Sequence, residues 1–219
     1  MKFIIIAFFY VIALSACNSK AKEERLIKKM NEKTFTAISY NYTKYDLYGI
    51  AFKDVSLPFN IDEAPSGGSV FFHNSSKMNL DSGQTIYFGE GCCFIWDLPV
   101  DKPIRVRVVW NVVYDTFYYD GKSSLYYDER TSKESAPGTR WCQAIVDIQP
   151  STESIRPTTV FLHFLPDGSV QARLGKSQLD AVLNSEQVKL HSNPLPPHQF
   201  CKQEIENPFY GIPRRPHME

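Results

Sequence analysis

Apolar and polar positions divide the chain into three zones. An unbroken apolar run extends from Phe3 to Leu14. Residues 17–34 are polar and densely charged, with Lys20, Lys22, Glu23, Glu24, Arg25, Lys28, Lys29, Glu32 and Lys33, and lack a broad apolar stripe. From residue 35 onward, short segments rich in aromatic and β-branched side chains alternate with turn signals, the signature of strands. Strands are expected at Phe35–Tyr40, Tyr42–Lys53, Val70–His73, Thr85–Phe88, Cys92–Leu98, Ile104–Tyr114, Trp141–Ile148, Thr158–Leu165 and Val170–Leu174. The clearest is Ile104–Tyr114, where Ile104, Val106, Val108 and Trp110 alternate with Arg105, Arg107, Val109 and Asn111. Residues 54–69, with Pro58, Pro65, Gly67 and Gly68, read as a loop. Pro166-Asp167-Gly168 should turn Thr158–Leu165 into Val170–Leu174 as a hairpin, because Pro fixes φ and Gly supplies a positive one. Ser177–Leu183 is the best helix candidate, capped by Ser177 or its neighbour. Proline is dense after Asn193, at 194, 196, 197, 208, 213 and 216, so the tail should run extended.

Many short strands with almost no helix point to an all-β fold. The expected form is an antiparallel β-sandwich, stapled by disulfides, with one short helix and an extended Pro-rich C-terminal tail. No domain boundary is visible after residue 35, so residues 35–219 should form one domain.

The first zone changes where such a domain would work. Met1-Lys2, the apolar run and Ser15-Ala16-Cys17 together make an export leader over residues 1–16. The run falls short of the ~20 apolar residues of a comfortable membrane span. Leu14-Ser15-Ala16-Cys17 matches the bacterial lipobox, and the match implies cleavage before Cys17 and lipidation of that residue. Residues 17–34 would then tether the domain to a membrane. Asn18 after the cysteine favours the outer membrane, by resemblance to enterobacterial lipoproteins.

Of the five cysteines, Cys92, Cys93, Cys142 and Cys201 remain for the domain. In an oxidising periplasm they should pair. A bond between neighbours Cys92 and Cys93 would close a strained ring and is disfavoured. Two pairings remain, each tying Cys92 and Cys93 to Cys142 and Cys201, and the sequence does not choose between them. His191, His198 and Cys201 are loosely grouped but lack a recognised metal-ligand spacing. No metal or cofactor is expected.

Charge narrows the partners. Twenty-four basic residues balance 24 acidic ones, and nothing concentrates the basic side chains into a nucleic-acid-binding face. Two catalytic signatures are missing: there is no Gly-x-Ser-x-Gly and no His-Glu-x-x-His. Gly168 with Gly175-Lys176-Ser177 has the wrong spacing for a phosphate loop. Asp97, Asp101, Asp115, Asp120 and Asp128 have no fixed separation that would make an acid–base pair. His163, inside an apolar strand, reads as a half-buried and satisfied imidazole. Asn41-Tyr42-Thr43 and Asn74-Ser75-Ser76 are formal glycosylation sites that a bacterial lipoprotein would not normally use.

One segment suggests recognition. Tyr114, Tyr118, Tyr119, Asp120, Tyr126, Tyr127 and Asp128 lie among Ser and Gly within residues 114–130. Tyrosine offers large contact area at low entropic cost, and small polar residues adapt around it.

The landmarks in order are Tyr40-Asn41-Tyr42-Thr43, Gly89-Glu90-Gly91-Cys92-Cys93 ending at Leu98-Pro99, Arg105-Val106-Arg107-Val108-Val109-Trp110, Trp141-Cys142 and Val160 through Gly168. Over about residues 38–175 they resemble the DUF3304 family of bacterial lipoproteins, which carry a vicinal cysteine pair. The resemblance implies no enzymatic activity. It also implies a role: some members look like immunity proteins encoded beside phospholipase effectors of type VI secretion systems. The expectation is a lipid-anchored periplasmic protein that binds such an effector. The alternative is an envelope lipoprotein that binds another envelope component.

Overall fold

The computed structural model describes residues 34–95, 102–115, 128–150, 157–176, 182–193 and 195–213. Among these residues nine strands lie in one hydrogen-bonded sheet: β1 (Thr34–Asn41), β2 (Asp46–Asp54), β3 (Ser66–Val70), β4 (Ser76–Asn79), β5 (Thr85–Ile95), β6 (Ile104–Val113), β7 (Thr139–Gln149), β8 (Thr159–Phe164) and β9 (Val170–Gly175). Their order is β3-β2-β6-β7-β9-β8-β1-β5-β4. The all-β expectation holds. The strand pairing, however, records a single mixed sheet rather than two antiparallel sheets, because β1–β8 and β7–β9 are parallel.

The strongest ladder is β6 with β7, unbroken in register from Ile104↔Ile148 to Val113↔Thr139. Val106, Val108, Trp110 and Val112 are all buried, which explains the alternation that marks β6 in the sequence. The Pro166-Asp167-Gly168 hairpin forms as expected, pairing Phe164↔Val170 through Thr159↔Gly175.

The sheet curls until β3, at one end of the strand order, lies against β1 and β5. The Ser39 hydroxyl on β1 donates to Gly67 O on β3 at 2.7 Å, although these strands stand far apart in the sheet order. Phe52 of β2 meets Phe94 of β5 edge-on, with ring centroids 5.2 Å apart. A side chain on Gly89 or Gly91 would sit 2.0 Å from the carbonyl oxygens of Ser69 and Ser66 respectively, so only glycine admits this crossing of β5 over β3. The same glycines divide the sequence signal. The segments expected at Thr85–Phe88 and Cys92–Leu98 are joined in β5, whose described residues end at Ile95.

Two faces outside the curl are also apolar and are covered. Ile38, Tyr40, Tyr42, Phe161 and Leu165 pack with Leu80, Ile86, Leu183 and Val188. Ala51, Val109 and Trp141 pack with Ile61 and are overlaid by Phe59, Ile205, Phe209 and Ile212. Residues 54–69 are therefore not loop throughout: they supply Phe59 and Ile61 to this cover and then enter β3. Arg130 locks the cover, with Nη1 2.7 Å and Nη2 3.1 Å from the Asp62 carboxylate and its guanidinium 4.6 Å from the centre of the Phe209 ring. Asn207 donates to Glu129 O and Ser132 O at 2.6 and 2.9 Å.

Other expectations need correction. Residues 177–181 of the helix candidate lie outside the described residues, and Val182 and Leu183 are not helical. The helix found there, α1, is Ser185–Lys189. It starts where a cap is available: Asn184 accepts from Gln187 N, and the Gln187 side chain accepts from Asn184 N. The tail is not one extended run. It turns at Pro196–Gln199 and again at Asn207–Ile212, each turn closed by backbone hydrogen bonds.

The cysteine pairing differs from both expected schemes. Cys142 bonds Cys201 and Cys92 bonds Cys93. Cys201 faces Cys142 because Gln143 N donates to Gln203 O and Ile205 N to Trp141 O, each at 2.9 Å, laying the tail along β7. With that pair formed, Cys92 and Cys93 are left to each other. Cys142 and Cys201 are fully buried and 59 residues apart. Replacing both with Ala should cost roughly 2–5 kcal/mol of unfolding free energy. Denaturant titration checks this, and a change below about 1 kcal/mol would show that the bond does not hold the tail.

Candidate binding site

The sequence Asn41-Tyr42-Thr43-Lys44-Tyr45 joins β1 to β2 in a tight turn built by one buried amide. Asn41 Nδ2 donates to Tyr45 O at 2.7 Å, while its Oδ1 accepts from Thr43 N at 2.9 Å and the Thr43 hydroxyl at 2.8 Å. Tyr45 N in turn donates to the Thr43 hydroxyl at 3.2 Å. Asn41 and Tyr42 are buried, so this glycosylation-like triplet is a structural element of the turn.

That turn forms one wall of a cavity of about 460 Å³. The β8–β9 turn, at Leu165, Pro166 and Gly168, forms a second wall. The third is the tail, from Ser192 through Leu195, Pro196, Pro197, His198, Gln199 and Phe200. Gly168 has φ +72°, and an added Cβ would lie 2.8 Å from the Leu195 side chain and 3.0 Å from Cys201 Cα. Glycine is thus required both by the turn and by the close approach of the tail.

Aromatic side chains gather at this end of the sheet. Tyr114, just beyond β6, stacks on Phe200 with ring centroids 4.1 Å apart and an interplanar angle of 13°. Tyr45 meets Phe200 edge-on at 5.5 Å. Arg140 lies 5.6 Å from the Tyr114 ring centre and the Lys44 ammonium 5.3 Å from that of Tyr45. All three rings are half-buried, leaving part of each face or edge to solvent.

One carboxylate fixes both feet of the tail wall. Asp167 Oδ2 is 3.1 Å from His191 Nδ1 and 3.1 Å from Lys202 Nζ, on either side of residues 192–200. Its Oδ1 accepts from Ser169 N and the Ser169 hydroxyl. Burial raises the pKa of Asp167, but the hydrogen bonds from Ser169, His191 and Lys202 outweigh it and hold the carboxyl well below the usual range. Ser, His and Asp in contact suggest a nucleophilic relay, yet the geometry is that of a brace. A relay needs the serine at the ring nitrogen remote from the carboxylate. Here Ser169 Oγ lies 3.3 Å from the same Nδ1 that faces Asp167, and Nε2 is 2.9 Å from Gln171 Nε2.

His163 is more deeply placed than expected. It is fully buried, stacked on Tyr40 with centroids 5.2 Å apart, and its Nδ1 is 3.2 Å from the Tyr42 hydroxyl. Among the described residues its Nε2 has no hydrogen-bond partner. Burial, with a smaller contribution from Arg173, pushes its pKa down to about 3. The ring is a neutral core element in contact with Tyr42, which lines the cavity. Burial also lifts Tyr42 to about 12, against hydrogen bonding from Leu183 N.

Of the residues expected to recognise a partner, Tyr114 stands in this aromatic group. Asp128 serves a turn, its side chain accepting from Arg130 N at 2.9 Å and its carbonyl from Thr131 N and Ser132 N. Tyr118, Tyr119, Asp120, Tyr126 and Tyr127 lie outside the described residues, as does Cys17. Sequence reading missed Tyr45 and Phe200. The aromatic density of residues 40–45 hinted at the first. The second depends on knowing that the next residue, Cys201, is bonded to β7. No protein-family model matches the chain, and searches of curated proteins and of solved structures returned no significant match.

The depressed pKa of Asp167 makes its contribution to stability pH-dependent. The contribution is complete above the ordinary carboxylate pKa of about 3.9 and is lost as pH falls towards the lower folded value. Asp167→Asn should therefore lower the melting temperature at pH 7 and reduce its decline between about pH 5 and 2. Melting curves across that range test this; parallel parent and variant profiles would remove Asp167 as the clamp.

Proposed function

We propose that this chain is a lipid-anchored protein of the bacterial envelope that works by binding another protein. We further propose that the partner is a phospholipase effector of a type VI secretion system, neutralised by covering its active site. The observation that carries the binding reading is the group of Tyr45, Tyr114 and Phe200 at a cavity whose walls are internally braced. Half-buried aromatic rings on a rigid support offer contact area without a large ordering cost on binding. The anchor reading rests on Leu14-Ser15-Ala16-Cys17 after an apolar run, and the choice of effector on the resemblance to the DUF3304 lipoproteins.

Inhibition by occlusion requires no chemistry from the inhibitor. An interface of ~1,600 Å² with a few aromatic anchors binds tightly enough to exclude a lipid substrate. Co-expression with the product of the neighbouring gene should yield a complex that co-purifies and lacks phospholipase activity. Tyr114→Ala and Phe200→Ala should each weaken that complex tenfold or more, about 1.4 kcal/mol, with the fold retained by circular dichroism. A neighbouring gene without an effector, or a pair that does not associate, would instead favour an envelope component as the partner.

The anchor is tested separately. Cys17→Ser should leave an unprocessed precursor or a soluble product, read by fractionation and intact mass. A mature acylated variant in the membrane fraction would refute the lipobox reading.

A further inference from the structure

The two disulfides differ in access and in what they hold. Cys142–Cys201 is fully buried and ties the tail to β7 across 59 residues of sequence. Cys92–Cys93 joins neighbours on β5, and both side chains are exposed. The ring it closes contains only the peptide bond between them, so it constrains little of the unfolded chain. Nor is the bridge needed to place β5. The strand is held on one side of the pair by the backbone crossing at Gly89 and Gly91. On the other side, Phe94 packs between Phe52 and Phe35, at 5.2 and 6.1 Å.

Thiol–disulfide exchange requires a thiolate to reach a sulfur, and access separates labile bridges from structural ones. We propose that Cys92–Cys93 is a thiol-exchange site on the surface of β5, reversibly reduced by a dithiol, while Cys142–Cys201 stays oxidised. A thiolate of the dithiol attacks one sulfur of the pair. The bond between Cys92 and Cys93 breaks, a mixed disulfide forms, and the other cysteine leaves as a thiolate. The second thiol of the reductant then resolves the mixed disulfide. Two electrons and two protons pass to Cys92 and Cys93, and the reductant becomes its own disulfide. A disulfide of higher potential drives the reverse. This site does not depend on the effector reading.

The test uses the full chain, air-oxidised and folded, exposed to dithiothreitol without denaturant and quenched with iodoacetamide at intervals. Peptide mapping should show Cys92 and Cys93 labelled at least tenfold faster than Cys142 and Cys201. The paired variant Cys92→Ser/Cys93→Ser should lose the fast phase and keep the parent melting temperature within about 2 °C. Equal labelling rates at all four cysteines would overturn the proposal. So would labelling of Cys92 and Cys93 before reductant is added, or a large fall in the variant's melting temperature.

Discussion

The covalent tie between β7 and Cys201 is the constraint from which most of the remaining architecture follows. A curled sheet with apolar residues on its outer faces cannot stand in water uncovered. Val109 and Trp141 are covered by Ile205 and Phe209, which follow Cys201. The wall of the cavity, Ser192 to Phe200, precedes it. One bond thus holds a cover on one side and a cavity wall on the other. The Asp167 clamp and the Arg130–Asp62 pair refine the position of a segment that the disulfide has already brought into place.

The division of labour among polar groups is similarly clear. Asn41, Asn207 and Asp167 are each short side chains with several backbone or side-chain partners, and each shapes a turn. Partners of this kind compensate the desolvation of a buried amide or carboxylate and fix one local conformation. His163 is different: it is kept neutral by burial and contributes a stacked ring. The rings of Tyr45, Tyr114 and Phe200 stay partly open at the same end of the sheet, beside the turns that Asn41 and Asp167 shape.

Local pattern revealed those elements whose formation is local. The alternation in Ile104–Tyr114 and the Pro166-Asp167-Gly168 turn both specify their structures without help from distant residues. What escaped was decided by distant contacts. Gly89 and Gly91 look like strand breakers until β3 lies against them. Parallel pairing of β1 with β8 has no signature in either segment. Ring strain argued against Cys92–Cys93, but the approach of Cys201 to Cys142 left no other partner. Phe200 joined Tyr114 for the same reason, and the candidate site was legible only in its Tyr114 half.

The strand order ends in β3 and β4, and this has a bearing on solubility. A long flat margin of unpaired amides would invite another chain to add itself, the first step of aggregation. Here β4 has only four residues, Ser-Lys-Met-Asn, with a lysine among them. The opposite margin is a five-residue strand carrying two adjacent glycines. Neither offers a long apolar template, so one copy gains little by adding its strand to the margin of another.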